Sequence, residues 1–162
     1  MRKVIAAFNM TLDGVCDHTT GIADEELHHH YADLINSSGE ILYGRITYQL
    51  MQYWQDLLKS TSRDLSLYDF AVSIDRVKKI VFSRTINETG WKSAILAKKT
   101  LRETVEELRY KDGGDILVGS RSLIIQLLSN RLIDELQICI HPVIEGNGLR
   151  LFDGIQQSIM LK

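Results

Sequence analysis

The sequence predicts an α/β protein, a mostly parallel sheet with helices on both faces. Three observations carry this. Short all-apolar runs such as Val4-Ile5-Ala6-Ala7-Phe8 and Ile116-Leu117-Val118 have strand length without polar alternation, as in strands covered on both faces. Segments with helical apolar spacing stand between such runs, so the two patterns alternate along most of the chain. With 162 residues, 44% of them apolar, the chain can bury one sizeable core and is too short for two ordinary ones. A single domain over residues 1–162 is expected.

In order, residues 4–8 form the first strand, and Asp13-Gly14 turns the chain out of it. Residues 15–23 read as a surface loop. Asp24 can cap a helix whose buried face carries Leu27, Tyr31, Leu34 and Ile35, ended by Asn36-Ser37-Ser38-Gly39. Residues 40–43 are the next strand and 45–53 the next helix. The polar stretch 55–68 either extends that helix or forms an excursion, and 65–74 reads as a short helix. Strands follow at 79–82 and 93–96. Residues 100–110 form an amphipathic helix with Leu101, Val105 and Leu108 on one face, stopped at Gly113-Gly114. A strand at 115–118 and a helix at 121–128 come next. Leu136-Gln137-Ile138-Cys139-Ile140 alternates as a strand, and His141 to Gly148 is a turn-rich loop. Residues 149–152 read as a short extended piece, and 158–161 as a last strand.

A net charge of −2 implies no general attraction to nucleic acid or to an anionic membrane surface. No run approaches the ~18 apolar residues of a membrane span, and the N-terminus lacks the apolar core of a signal peptide. A cytoplasmic protein is expected. Cys16 and Cys139 have no metal-type spacing. Their pairing in one disulfide stays open, with two buried thiols the expected state.

In an open α/β sheet, ligands sit outside the carboxyl ends of the strands. Those ends here carry Ala7, then Gly44-Arg45-Ile46-Thr47, Ser83-Arg84, and Gly119-Ser120-Arg121-Ser122. All but the first combine small or hydroxyl residues with an arginine. Gly44 and Gly119 each stand between a strand and a helix, where free N–H groups and the positive dipole end favour an anion. A phosphate-rich nucleotide explains the grouping, although Arg45 and Arg84 alone also read as solvated surface charges. No G-x-G-x-x-G follows a strand and no G-x-x-x-x-G-K-[ST] occurs, so neither the usual dinucleotide fingerprint nor a P-loop is present.

An ordered set of stretches resembles the dihydrofolate reductase fold family, most closely its branch with the reductase domain of bacterial riboflavin biosynthesis, the C-terminal part of a bifunctional deaminase-reductase. The set comprises Thr11-Leu12-Asp13-Gly14, Leu42-Tyr43-Gly44-Arg45-Ile46-Thr47-Tyr48 with Met51 and Tyr53-Trp54, Val81-Phe82-Ser83-Arg84 with Trp91, Ile116-Leu117-Val118-Gly119-Ser120, Leu132-Ile133-Asp134-Glu135, and His141-Pro142-Val143-Ile144-Glu145-Gly146-Asn147-Gly148 with Leu151-Phe152. The resemblance implies a three-layer fold and NADPH as hydride donor. By position, the Ala7 backbone would hold the nicotinamide carboxamide. Gly44, Arg45, the Ile46 N–H and Thr47 would hold the pyrophosphate and the 2′-phosphate side. Ser83 and Arg84 would line the 2′-phosphate pocket, and Gly119, Ser120, Arg121, Ser122 and Leu123 would pass under the pyrophosphate and nicotinamide ribose. The implied substrate is a small heterocycle of the pterin or ribosylaminopyrimidine type.

The chain also departs from dihydrofolate reductase. That enzyme has consecutive glycines joined by a cis peptide where this chain has Gly119-Ser120. Serine there is common to the riboflavin branch. That enzyme also places a carboxylate on its first helix, whereas the matching position here is His28. Asp24 and His28 are the proton-donor candidates, although Asp24 also reads as a helix cap and His28 as a surface residue. His28-His29-His30 point about 100° apart on a helix and do not converge, so no metal is expected. Relatives carry one more strand after the segment that ends at Lys162. An unpaired edge invites association, and a homodimer is expected. Asp134-Glu135 read as a solvated helix end. The two other readings are a true dihydrofolate reductase and a non-catalytic nucleotide-binding or interaction protein that retains the fold.

Overall fold

The computed structural model describes residues 1–59 and 65–162. Its elements are β1 (Val4–Thr11), α1 (Glu25–Ser37), β2 (Ser38–Gly44), α2 (Arg45–Leu57), α3 (Leu65–Arg76), β3 (Lys78–Phe82), β4 (Ala94–Leu96), α4 (Leu101–Arg109), β5 (Asp115–Val118), α5 (Arg121–Ser129) and β6 (Glu135–His141). The strands form one sheet in the order β4-β3-β2-β5-β1-β6, and every pairing between them is parallel.

The all-apolar strands follow from this layering. Alternate side chains of β1 point to opposite faces, and both faces are covered. On one face Ile5, Ala7, Ile41, Tyr43 and Val81 pack with Ala32 and Ile35 of α1, Tyr48 of α2, and Phe70 and Ile74 of α3. On the other, Val4, Ala6, Leu42, Ile116 and Val118 pack with Leu101, Val105 and Leu108 of α4 and Leu123, Ile124 and Leu127 of α5. Burying each such side chain fully is worth ~1.5–3 kcal/mol, so the two clusters dominate stability. α4 is fixed at its start by a capping box. The Glu103 N–H donates to Thr100 Oγ1 and the Thr100 N–H to Glu103 Oε2.

The sheet's amino edge is braced by buried charge. The Arg2 guanidinium donates to Glu40 Oε2 and to the Gly114 carbonyl. Asp134 accepts from the Val4 N–H at 2.8 Å and from Arg109 Nη2 at 2.8 Å. It is therefore a bracket across three segments and not the end of a helix, since α5 stops at Ser129. Its partners are distant in sequence, which hides this role from local pattern.

Other expectations shift. β1 continues through Met10 to Thr11 because β6 accompanies it that far. α1 runs to Ser37 and β2 begins at the next residue, so residues 36–39 form no separate loop. α2 extends to Leu57 and α3 begins at Leu65, and the middle of the 55–68 stretch lies outside the described residues. The last strand at 158–161 does not form. Ile155 and Ile159 instead pack, partly buried, against the cluster of the α4 and α5 face, while Ser158, Met160 and Leu161 are exposed. Of the extended piece at 149–152, only an isolated antiparallel bridge between Val15 and Arg150 is present.

Candidate active site

The sheet has a switch point between β2 and β5. The chain leaves β2 through α2 and α3 toward β3, and leaves β5 through α5 toward β6 on the opposite side. α2 and α5 lie on opposite faces, so their N-termini flank one crevice at the carboxyl ends of adjacent strands. Such a crevice is where open α/β sheets bind ligands.

Both helices begin in a way that leaves the crevice receptive to negative charge. α2 starts at Arg45 after Gly44, α5 at Arg121 after Ser120. Neither has a side-chain cap nor an acidic residue in its first turn. First-turn N–H groups have no intrahelical partner, so both dipoles end in open donors. By contrast, α1 is capped by Asp24 and carries Glu25 and Glu26 in its first turn.

The two turns are tied to each other. The Gly44 N–H donates to Ser120 Oγ at 2.8 Å, with Ser120 only 1% exposed. The Gly119 N–H reaches the Leu42 carbonyl at 3.3 Å. A Cβ on Gly119 would come within 2.9 Å of the Tyr43 ring, and one on Gly44 within 3.2 Å of Ser122 Oγ, in the gap between the turns. Glycine at both positions thus lets the two turns close together. The Gly119–Ser120 bond is trans.

The remaining expected residues fall around this crevice in different ways. Gly44 pairs with Phe82, so Ser83 and Arg84 begin beside the Gly44 turn. Ser83 Oγ accepts from the Thr85 and Ile86 N–H groups and shapes the loop. Arg84 and Arg45 are exposed, and among the described residues Arg45 hydrogen-bonds only Gln49, at 3.2 Å. Ile46 is exposed and Thr47 half-buried. Arg121 turns away from the crevice. Its Nε donates to the Arg150 carbonyl at 2.7 Å and its Nη2 to the Asp153 carbonyl at 2.5 Å. Ser122 is exposed, while Leu123 is buried in the core and its N–H donates to the Ser120 carbonyl at 3.0 Å. β5 ends at Val118, opposite Ala6, so from Ala7 onward β1 has a strand only on its β6 side.

Asp24 and His28 are each engaged on or around α1. Asp24 Oδ1 accepts from the Leu27 N–H at 2.9 Å and caps α1. Its negative charge, behind burial, also pushes the Cys139 thiol up. The His28 ring packs edge-on against Trp54 and beside Phe70, with centroids 5.8 and 5.7 Å away. Trp54 is packed on the core and Tyr53 is exposed. Cys16 and Cys139 are free thiols. Among the described residues, no three His, Cys, Asp or Glu side chains stand together to hold a metal ion.

Asp13 has a larger part than its Asp-Gly turn suggests. Its carboxylate accepts from Thr11 Oγ1 at 2.6 Å, the Glu145 N–H at 3.1 Å and the Gly146 N–H at 2.8 Å. These bonds, the Thr11 hydroxyl first, hold its pKa down to about 2. Arg150 donates to the Asp13 carbonyl. The loops after β1 and β6 are thereby clasped together and, through Arg121, joined to the start of α5. Only the turn signal at Asp13 was visible locally; its partners lie far along the chain.

Comparison with known proteins agrees with this geometry. The family model of the RibD C-terminal domain matches residues 2–162. A Bacillus subtilis (strain 168) protein, the uncharacterized YyaP, is 34% identical, over 99% of this chain and 86% of its own length. The Saccharomyces cerevisiae riboflavin biosynthesis reductase Rib7 has a similar fold, with a TM-score of 0.61, 18% identity, and 99% of this chain and 82% of its own covered. The Thermotoga maritima diaminohydroxyphosphoribosylaminopyrimidine deaminase/5-amino-6-(5-phosphoribosylamino)uracil reductase does as well, with a TM-score of 0.64 and 19% identity. There the match covers 99% of this chain but 51% of the longer protein. The expected dihydrofolate reductase-like architecture is therefore present, in the form found in riboflavin biosynthesis reductases. This chain belongs to the RibD C-terminal domain family.

Proposed function

We propose that the chain is an NADPH-dependent reductase of a small nitrogen heterocycle of the ribosylaminopyrimidine or pterin type. The observation that carries the reading is the pair of uncapped, acid-free helix N-termini meeting at the β2/β5 switch point. The two glycines that let the turns approach fit a pyrophosphate passing between them. Family membership supports a reductase role.

In this reading Arg45, the Ile46 N–H and Thr47 hold the pyrophosphate and adenosine side. Ser83 shapes the loop that presents Arg84 to the 2′-phosphate. A guanidinium binds phosphate bidentately, which favours NADPH over NADH. Gly119, Ser120, Arg121, Ser122 and Leu123 run beneath the cofactor, Arg121 through backbone alone. The Ala7 backbone, on the open side of β1, orients the carboxamide. Bound there, the nicotinamide would supply the hydride. Asp24, at the cap of α1, and His28, among the aromatic rings, are the side chains proposed to deliver the proton. A homodimer through the open β6 edge completes the proposal. Exposed Ile140 on β6 is suited to it, and light scattering in solution reads the mass.

The test is NADPH oxidation with 5-amino-6-(5-phosphoribosylamino)uracil and with dihydrofolate as separate substrates. Turnover of the first supports the reading, and turnover of dihydrofolate alone makes the chain a dihydrofolate reductase. Tight NADPH binding without turnover of either points to a binding protein. Absence of NADPH binding overturns the proposal.

A further inference from the structure

The two helix N-termini at the crevice are held in different ways. α2 is tied at its cap, where the Gly44 N–H reaches Ser120 Oγ. α5 is held through the side chain of its first residue. Arg121 Nε donates to the Arg150 carbonyl at 2.7 Å and Nη2 to the Asp153 carbonyl at 2.5 Å. Both carbonyls belong to the stretch after β6, so the start of α5 is set by where that stretch rests.

That stretch rests on the loop after β1. The Leu151 N–H donates to the Gly14 carbonyl at 2.9 Å, and the Cys16 N–H to the Leu149 carbonyl at 2.8 Å. Val15 packs on Gly148, where φ is +139° and a Cβ would come within 2.6 Å of Val15 Cγ1. Val15 and Leu151 have no exposed surface. Charged groups close the contact. Arg150 donates to the Asp13 carbonyl and, at 3.4 Å, to the Gly146 carbonyl. The Asp13 carboxylate takes the Glu145 and Gly146 N–H groups and the Thr11 hydroxyl. Bonds to an ionised acceptor are about twice as strong as neutral ones. Among the described residues, neither Asp13 nor Arg150 hydrogen-bonds the Gly44 turn or the Gly119 turn.

We infer that Asp13 and Arg150 are positioning residues for the N-terminus of α5, acting through Arg121. The Arg121 guanidinium is engaged by two carbonyls, so it supplies placement to the crevice and not a phosphate contact. Donors fixed in advance bind an anion with less ordering cost. Loosening the clasp therefore weakens any dinucleotide whose pyrophosphate lies over the first turn of α5, with or without a 2′-phosphate. This rests on the proposed seat of the cofactor, and it leaves the 2′-phosphate preference to Arg45 and Arg84.

The experiment compares Arg121→Ala, Arg150→Ala and the double variant with the wild type. Amide hydrogen exchange is followed residue by residue by NMR in the free protein, and NADPH and NADH binding at equilibrium. Arg150→Ala should speed exchange by about 10-fold at the Leu123 and Ile124 N–H groups, which bond the Ser120 carbonyl, although Arg150 lies outside α5. Asp13→Ala should do the same. Each single variant should weaken NADPH and NADH by one common factor, about 5-fold. The double variant should be no worse than the weaker single one, because the groups act as a unit. Three results overturn the inference. One is α5 exchange in Arg150→Ala that matches the wild type. Another is losses that multiply in the double variant, as for an arginine that binds phosphate directly. The third is a loss confined to NADPH. A wild type that binds neither cofactor overturns the proposed reductase, and exchange at the start of α5 still decides whether the clasp positions it.

Discussion

The two edges of the one sheet handle charge in opposite ways. At the amino edge, Arg2 is 6% exposed and paired with Glu40 at 12%. Arg109 is held by Asp134. Lys79, with no exposed surface, donates to the Val77 carbonyl at 2.9 Å and Ser93 Oγ at 2.7 Å, and lies 4.0 Å over the Trp91 ring. At the carboxyl edge, Arg45 and Arg84 are exposed and meet no carboxylate among the described residues. A buried charge without partners is costly, so the amino edge must be satisfied within the fold. An exposed arginine beside two helix N-termini has no such requirement and remains available to an anion. One edge therefore carries stability, and the other is left free for the proposed recognition.

The sharpest way to break this comparison is at Arg2. Arg2→Ala leaves the half-buried Glu40 only the 3.9 Å contact with Lys78 among the described residues and should cost about 3 kcal/mol in urea unfolding, with NADPH affinity unmoved. A loss in affinity to match would mean that the edges are not separable.

Lys79 follows. Burial, opposed only in part by Asp75, brings its pKa from 10.5 down to about 8. The unfolded chain holds that proton more tightly, so the buried ammonium costs stability fully below pH 8. That cost is relieved as the pH rises toward 10.5. Unfolding free energy should gain up to about 3 kcal/mol over that window from this residue. Lys79→Met should lack the gain, and a rise shared by wild type and variant would assign it elsewhere.

Smaller effects are expected at the other edge. Arg45→Ala and Arg84→Ala should each weaken NADPH by about 10-fold, about 1.4 kcal/mol, and leave stability within about 0.5 kcal/mol. A clear fall in melting temperature would make them structural. Smallest is Thr100→Ala, which removes the cap of α4 and should cost about 1 kcal/mol without touching NADPH binding.

What could be read from the sequence divides along the same line. Apolar runs and helical spacing depend on near neighbours, so the layers, the strands and the Gly44 and Gly119 turns were legible. Asp134, Asp13 and Arg121 take partners more than a hundred, or about thirty, residues away. No local pattern encodes such partners, and a solvated end, a simple turn and a phosphate ligand were the natural readings. Residues 158–161 alternate as a strand would, yet only Ile159 is partly buried, because alternation alone does not say whether a ladder neighbour exists.

The account turns on whether the switch-point crevice reads the 2′-phosphate. The direct measurement is equilibrium binding of NADPH and NADH to the wild type and to the Arg45→Ala/Arg84→Ala double variant. The wild type should favour NADPH by at least about 10-fold, and the double variant should bind the two alike while melting as the wild type does. Equal affinity for both cofactors in the wild type, or a preference that survives in the double variant, would contradict it.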